Sequence, residues 1–539
     1  MEPPGEPAPL PDPQPQGEAA SAAVVPSGVW LPELVQRYAP ALSCNEVACA
    51  LRLVNKATAA QFHGPQDRSV RLSLPVPHHA FVQRWSGEGA MRGLTMIQRQ
   101  QLCSLTARSG STANLEFLLA LEDCACLGED AFWAAADAGQ LEVCRWLRQQ
   151  GCCPWDSYSV LDAAAAGGHQ DVCEWLLASG CPWSCWAASR AARGGHVGLM
   201  DWLLSMGPSE GVVAAAAAGG DLPTLQLLHS KHLPQEYRAY SRAEMVACAA
   251  SSLTADWRAK VEWLEGQGFP QDTCACVRAV KQPEWRGRLE WLQQRGHPLT
   301  GYAAAAAASV GAVDALQYVL DSGVALGEDD TEAVTREAAD GGHLAVLQEL
   351  HARGFDIAGT ATAAARYGHL PVVAWLVEVL GADKVLSARL FASAATSGKR
   401  ELLAWLHDRG CPWDQGTFEA AAAAGCEEQL EWLAACGCPM GENGRSYALA
   451  ARNSDLATLR CLQRLGCPLG AESGGHFALA IKYRQLVIVD DDDVRYSVLR
   501  LQRGLLWLLE RVKMVVDWDA AERAVQHLEQ HEQEELLTW

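Results

Sequence analysis

Along most of the chain, apolar side chains recur at helical spacing in short bursts of about ten residues, each closed by a glycine. The run from Ala163 to Trp183, AAAAGGHQDVCEWLLASGCPW, displays the unit. A helix closing on alanines leads into a turn at Gly167-Gly168-His169, a second helix, and a stop at Gly180-Cys181-Pro182. On the second helix Val172, Trp175 and Leu176 stand at i, i+3 and i+4 and form one apolar stripe. Gly180 falls where a helix end favours a left-handed residue, and Pro182 blocks continuation. Two helices this short cannot bury their own apolar face. They must stack on copies of themselves.

The copies are present. With the tryptophan five residues before each terminal glycine as marker, Trp146, Trp175 and Trp202, and again Trp263 and Trp291, follow one another at 27–29 residues, the 61 residues from Trp202 to Trp263 hold two units, and Trp405 marks a later one. Leu227, Tyr318, Glu349 and Cys461 hold the same slot elsewhere. Alanines on the first helix let a neighbour approach closely. The Gly-His turn needs a residue free of Cβ, then a side chain able to hydrogen-bond local backbone. Tryptophan supplies apolar area between units. The pattern predicts an all-α fold, an elongated solenoid of stacked helix-turn-helix repeats over residues 101–510. A polar, acidic capping helix is expected at 511–539.

The recurring residues, Ala165-Ala166-Gly167-Gly168-His169, Ala338-Ala339-Asp340-Gly341-Gly342-His343-Leu344 and Ala364-Ala365-Arg366-Tyr367-Gly368-His369-Leu370, resemble the ankyrin repeat. The units are shorter than its usual ~33-residue period, and its Thr-Pro-Leu-His start is missing. Loops such as Cys411-Pro412-Trp413-Asp414 take that place, so the β-hairpins are expected to be short or absent. The resemblance implies a non-enzymatic scaffold holding a protein partner on the concave face of the repeats. The residues expected to touch it follow each Gly-Cys-Pro-Trp and open each first helix: Asp156, Ser157, Ser184, Asp414 and Thr417. Each of them would serve equally as a solvated turn or cap residue.

Ahead of the repeats, residues 1–27 are Pro/Glu/Ala-rich and predicted to be disordered. Residues 28–65 carry helical spacing twice, with a first helix ended near Pro40 and a second opened by Asn45 and Glu46. Pro32-Glu33-Leu34-Val35, Leu42-Ser43, Glu46-Val47 and the run from Leu51 to Lys56 make this segment resemble an F-box, although Trp30 and Ala39 depart from its pattern. The resemblance implies docking of a Skp1-type adaptor through Pro32, Leu34, Val35, Leu42, Val47, Leu51 and Val54, and a role as substrate receptor of a cullin ubiquitin ligase. The alternative is that these helices merely cap the solenoid. Residues 66–100 form a connector, in which the alternation of VRLSLPVPHHAFVQRW predicts an extended strand.

Charge and chemistry narrow the function. The formal net charge of −21 over 539 residues disfavours nucleic acid. No apolar run approaches the ~18 residues of a membrane span, and the first residues lack a basic and then apolar leader. A soluble cytoplasmic or nuclear protein is expected. Most of the 20 cysteines fall at repeat-equivalent positions and read as small buried hydrophobes in a reducing compartment. Their spacing does not suit a zinc site. His78-His79, the acidic run Asp490 to Asp493, and the pair His527 and His531 each lack what would complete a metal site. No phosphate loop, dinucleotide fingerprint or nucleophile elbow is present. Neither a cofactor nor catalysis is expected.

Overall fold

The computed structural model describes residues 32–121 except 88, then 128–150, 159–236, 242–469, 505–507 and 523. The capping helix expected at 511–539, the acidic run at 490–493 and the His527/His531 pair lie outside the described residues. The chain divides into two compact units, residues 1–71 and 72–539.

In the first unit the helix Pro32–Tyr38 runs into a 3-10 turn, Ala39–Ala41, and then the helix Cys44–Cys49. That second helix is opened by Ser43 rather than Asn45. The Glu46 N–H donates to Ser43 Oγ at 3.2 Å and the Ser43 N–H to Glu46 Oε2 at 2.8 Å, a reciprocal cap. Asn45 is instead buried, and its amide exchanges two 2.8 Å hydrogen bonds with the backbone of Arg71. A third helix, Lys56–Gln61, is capped by Asn55. Val35, Ala39, Val47 and Leu51 form the core, with Tyr38, Leu42 and Phe62 packed against it.

In the second unit the stretch expected as a strand forms a helix, His78–Trp85. Phe81 and Trp85 both turn inward, stacked one above the other as i, i+4 neighbours on one helix face. The Phe81 ring meets Phe117 edge-on at 6.2 Å. His78 donates from Nδ1 to Asn114 Oδ1 at 2.8 Å. Helix pairs follow, from Met96–Arg108 with Thr112–Ala120 to Arg445–Arg452 with Leu456–Arg464. Among the described residues there is no strand, so the expected loss of the hairpins holds there.

First helices pack on the first helices of neighbouring units, and their alanines, such as Ala163, Ala164, Ala303 and Ala307, are at most 1 % exposed. On the second helices Val172, Cys173 and Leu176 are fully buried, while Trp175 keeps an edge in solvent. Aromatic contacts then run from unit to unit. His229 meets Trp263 edge-on at 4.9 Å, Trp257 meets Trp291 at 5.1 Å, and His407 meets Trp432 at 5.7 Å.

The turn histidines act across units rather than on local backbone. His169 donates from Nε2 to the carbonyl of Asp137 at 3.2 Å, and His369 to that of Asp340 at 2.8 Å. Those carbonyls end the preceding first helix and lack partners within it. Where the Gly-His turn is missing, other donors reach the same place. Lys260 Nζ donates to the Ala217 and Gly220 carbonyls, both at 2.8 Å. Arg288 donates to those of Ala250 at 2.6 Å and Ser252 at 2.9 Å.

The last described repeats also meet the start of the repeat array, the helix Met96–Arg108 and the turn before it. Arg99, 1 % exposed, pairs with Asp455, 4 % exposed, at 2.5 Å and donates to the Gly425 carbonyl at 3.2 Å. Arg92 pairs with Glu431, and its carbonyl accepts from the Glu428 N–H at 3.0 Å. Cys426 and Asp455 occupy the turn slot that histidine fills in other units, which leaves room for the two arginines.

Candidate protein-binding surface

One irregularity in the stack opens a groove. The first helix Glu328–Asp340 has 13 residues, whereas its successor, Ala361–Arg366, has 6 and is preceded by the 3-10 turn Ala358–Thr360. The longer helix overshoots the shorter. Its acidic first turn, Glu328-Asp329-Asp330, suits the positive end of the helix dipole and supports the extra length. The step leaves a cavity of about 780 Å³ bounded by both helices and by Arg389 of the next first helix, Ala388–Thr396.

Small residues make the floor. A Cβ built on Gly359 would meet nothing within 4 Å, so the space above it is open. Thr360 is satisfied inwardly, donating to Ile357 O at 2.7 Å, and Thr335 likewise donates to Thr331 O at 2.8 Å. The charged groups face outward. Glu332 and Arg336 approach to 3.8 Å, both well exposed, a contact of little energy. Asp356 accepts from the Ala358 N–H at 2.9 Å. Arg366 and Arg389 are exposed and take part in no ion pair among the described residues. The groove therefore offers charge of both signs to a ligand.

The residues expected to touch a partner are placed differently. Asp156 and Ser157 lie outside the described residues. Ser184 is 3 % exposed, its Oγ accepting from the Trp186 N–H at 3.1 Å, so it shapes the loop instead of facing out. Thr417 is fully buried because it sits on the inward face of the helix Gln415–Ala424. Asp414 is exposed and caps that helix, accepting from the Gly416 N–H at 2.9 Å. The groove is lined at other positions, among them Asp356, which follows Gly354, and Gly359, just before a first helix. Sequence reasoning recognised this unit as a repeat but named no binding residue in it, because it lacks the Cys-Pro-Trp signature. The available signal was the long acidic opening at 328–332.

The F-box-like residues also divide. Val35 at 0 %, Leu51 at 4 % and Val47 at 8 % are consumed by their own core and cannot dock a partner without unpacking it, and Leu42 packs against that core. Leu34 and Val54 are exposed, as is Leu53, which the prediction omitted. Pro32 begins the first helix.

Among the described residues no group of three or more His, Cys, Asp or Glu is arranged to hold a metal. No described helix is long and apolar enough to cross a membrane.

Residues 104–184 match the model for ankyrin repeats, in three copies. In that matched segment lie the helix pairs Glu129–Asp137 with Leu141–Gln149 and Ser159–Gly167 with Gln170–Ala178. No curated protein matches the chain. Among solved structures, the pentatricopeptide repeat protein PPR10 in complex with an 18-nt psaJ RNA element aligns at 11 % identity over 92 % of this chain and 94 % of that one, with a TM-score of 0.20. A cysteine-substituted form of the same protein with the same RNA gives the same values.

Proposed function

We propose that this chain is a non-enzymatic scaffold that holds a protein partner on the first-helix face of its repeats, with the groove beside Glu328–Asp340 as the seat. The observation that carries this reading is the pair of exposed arginines, Arg366 and Arg389, which form no ion pair among the described residues and line one open cavity together with acidic side chains. A protein surface can answer both signs at once. A nucleic acid presents one sign only, and a chain of net charge −21 repels it. The cysteines of the described residues are free, and most are buried, which fits a reducing cytoplasmic or nuclear setting. The test is proximity labelling with the full chain as wild type, as Arg366→Glu/Arg389→Glu, and as an Arg145→Glu control far from the groove. The expected result is a set of proteins shared by wild type and control and lost from the double variant. Equal labelling by all three overturns the reading.

A second reading rests on the first unit, where Leu34 at 40 %, Leu53 at 72 % and Val54 at 43 % expose apolar surface on a small helical module. It makes the chain an F-box-type substrate receptor, the repeats holding the substrate and the first unit a Skp1-type adaptor. Mixing such an adaptor with the wild type and with Leu34→Asp decides it. Binding by the wild type that the variant loses supports the receptor, and no binding by either rejects it.

A further inference from the structure

The groove's charges are ordered. Counted back from the turn glycines Gly342, Gly368 and Gly398, the residues Ala333, Gly359 and Arg389 are equivalent positions on three successive units. Near one level of the stack, therefore, Glu332 beside Ala333 stands on one wall, Gly359 on the floor and Arg389 on the opposite wall. On the Glu332 wall Glu328 and Asp340 outweigh Arg336, while Asp356 and Arg366 both belong to the central unit. Packed helices lie about 8–10 Å apart, so the walls are separated by about 16–20 Å. An extended chain covers that distance with about five or six residues.

We infer that the groove takes an extended peptide segment of about six residues, with a basic side chain at one end, an acidic one at the other, and small uncharged residues between. This rests on the groove being the partner seat and names what it selects. The basic end faces Glu328 and Glu332, and the acidic end faces Arg389. Small central residues follow from the floor, where the absence of a side chain at Gly359 lets a peptide backbone lie close. Wall charges of opposite sign also reject a uniformly charged peptide, because one end always meets its own sign.

The experiment is selection of a random hexapeptide display library on the full-length protein, with clones retested on Gly359→Trp and Arg389→Glu. Both substitutions fall on open surface, and thermal melting checks that each variant stays folded. Enriched clones are expected to carry Lys or Arg at one end and Asp or Glu at the other, and to lose binding roughly tenfold or more on the Trp-plugged groove. Selection on Arg389→Glu is expected to yield peptides basic at both ends. The inference is overturned by no enrichment, by enrichment of apolar or single-sign peptides, or by clones that bind Gly359→Trp as well as wild type. If proximity labelling still depends on Arg366 and Arg389 while the hexapeptides fail, the scaffold stands and this peptide specificity falls.

Discussion

Lys260 illustrates how one side chain can do the work of a turn motif. It is fully buried, and its three hydrogen bonds go to the carbonyls of Ala217 and Gly220 and to Ser252 Oγ at 2.7 Å. Burial lowers its pKa to about 8, against the opposing pull of Asp256 and Asp221. Lys260→Met takes the shared donor from the two carbonyls and is expected to cost about 3 kcal/mol, read from the urea midpoint. The buried thiols set the response to alkali. Burial pushes Cys144, Cys173, Cys181, Cys276 and Cys438 up to about 12, and Cys411, Cys461 and Cys467 up to about 11, from an ordinary 9.0. Above pH 9 the unfolded chain releases these protons while the folded chain keeps them, so stability is intact below 9 and falls as pH rises towards 11–12. Lys260 works the other way from about 8 upward, but it is one group against eight. The expected result is a urea midpoint that drops steadily between pH 9 and 11.

At the scale of the helix pair, the two glycine positions of each unit do different things. Gly180 has φ of +89° and open space around its missing Cβ, so it answers only to backbone conformation. Gly168 has φ of +80°, and a Cβ there would also come within 2.5 Å of His196 Nδ1 in the next unit. Gly180→Ala is therefore expected to cost about 1–2 kcal/mol, the strain alone. Gly168→Ala is expected to cost more, and His196→Ala to recover the excess in a double-mutant cycle. This much was legible in the chain: Gly-His and Gly-Cys-Pro are local signals, and the helix-turn-helix period follows from them. The partners of the turn were not. A histidine is visible as a motif, but Lys260 and Arg288 reach the same carbonyls from within second helices, where a cation reads as a surface residue. The groove was hidden for a related reason. It arises from a mismatch in length between neighbouring helices, and repeat reasoning averages such mismatches away. Ser184 was misplaced because its hydroxyl folds back on its own loop, and Thr417 because a residue in the first turn of a helix can face inward as readily as outward.

For the whole repeat unit the contact that matters joins residues 356 apart in sequence, Arg99 and Asp455. Removing one partner of a buried ion pair strands the other, and Arg99→Met is expected to cost about 3–5 kcal/mol by denaturant titration. Arg353→Met, which breaks a surface pair with Asp321, is the control and is expected to cost under about 1 kcal/mol. No local pattern announces this clasp. Its trace in the sequence is indirect, the replacement of the turn histidine by Cys426 and Asp455. The clasp also sets a condition on everything between its two ends. Each unit adds a small rotation to the one before, and the guanidinium finds its carboxylate only if those rotations sum correctly. Extra residues in an exposed loop leave that sum unchanged and should be absorbed. One residue inserted inside any intervening helix shifts the running total and carries the error to the far end, where a hydrogen bond tolerates only a few tenths of an ångström.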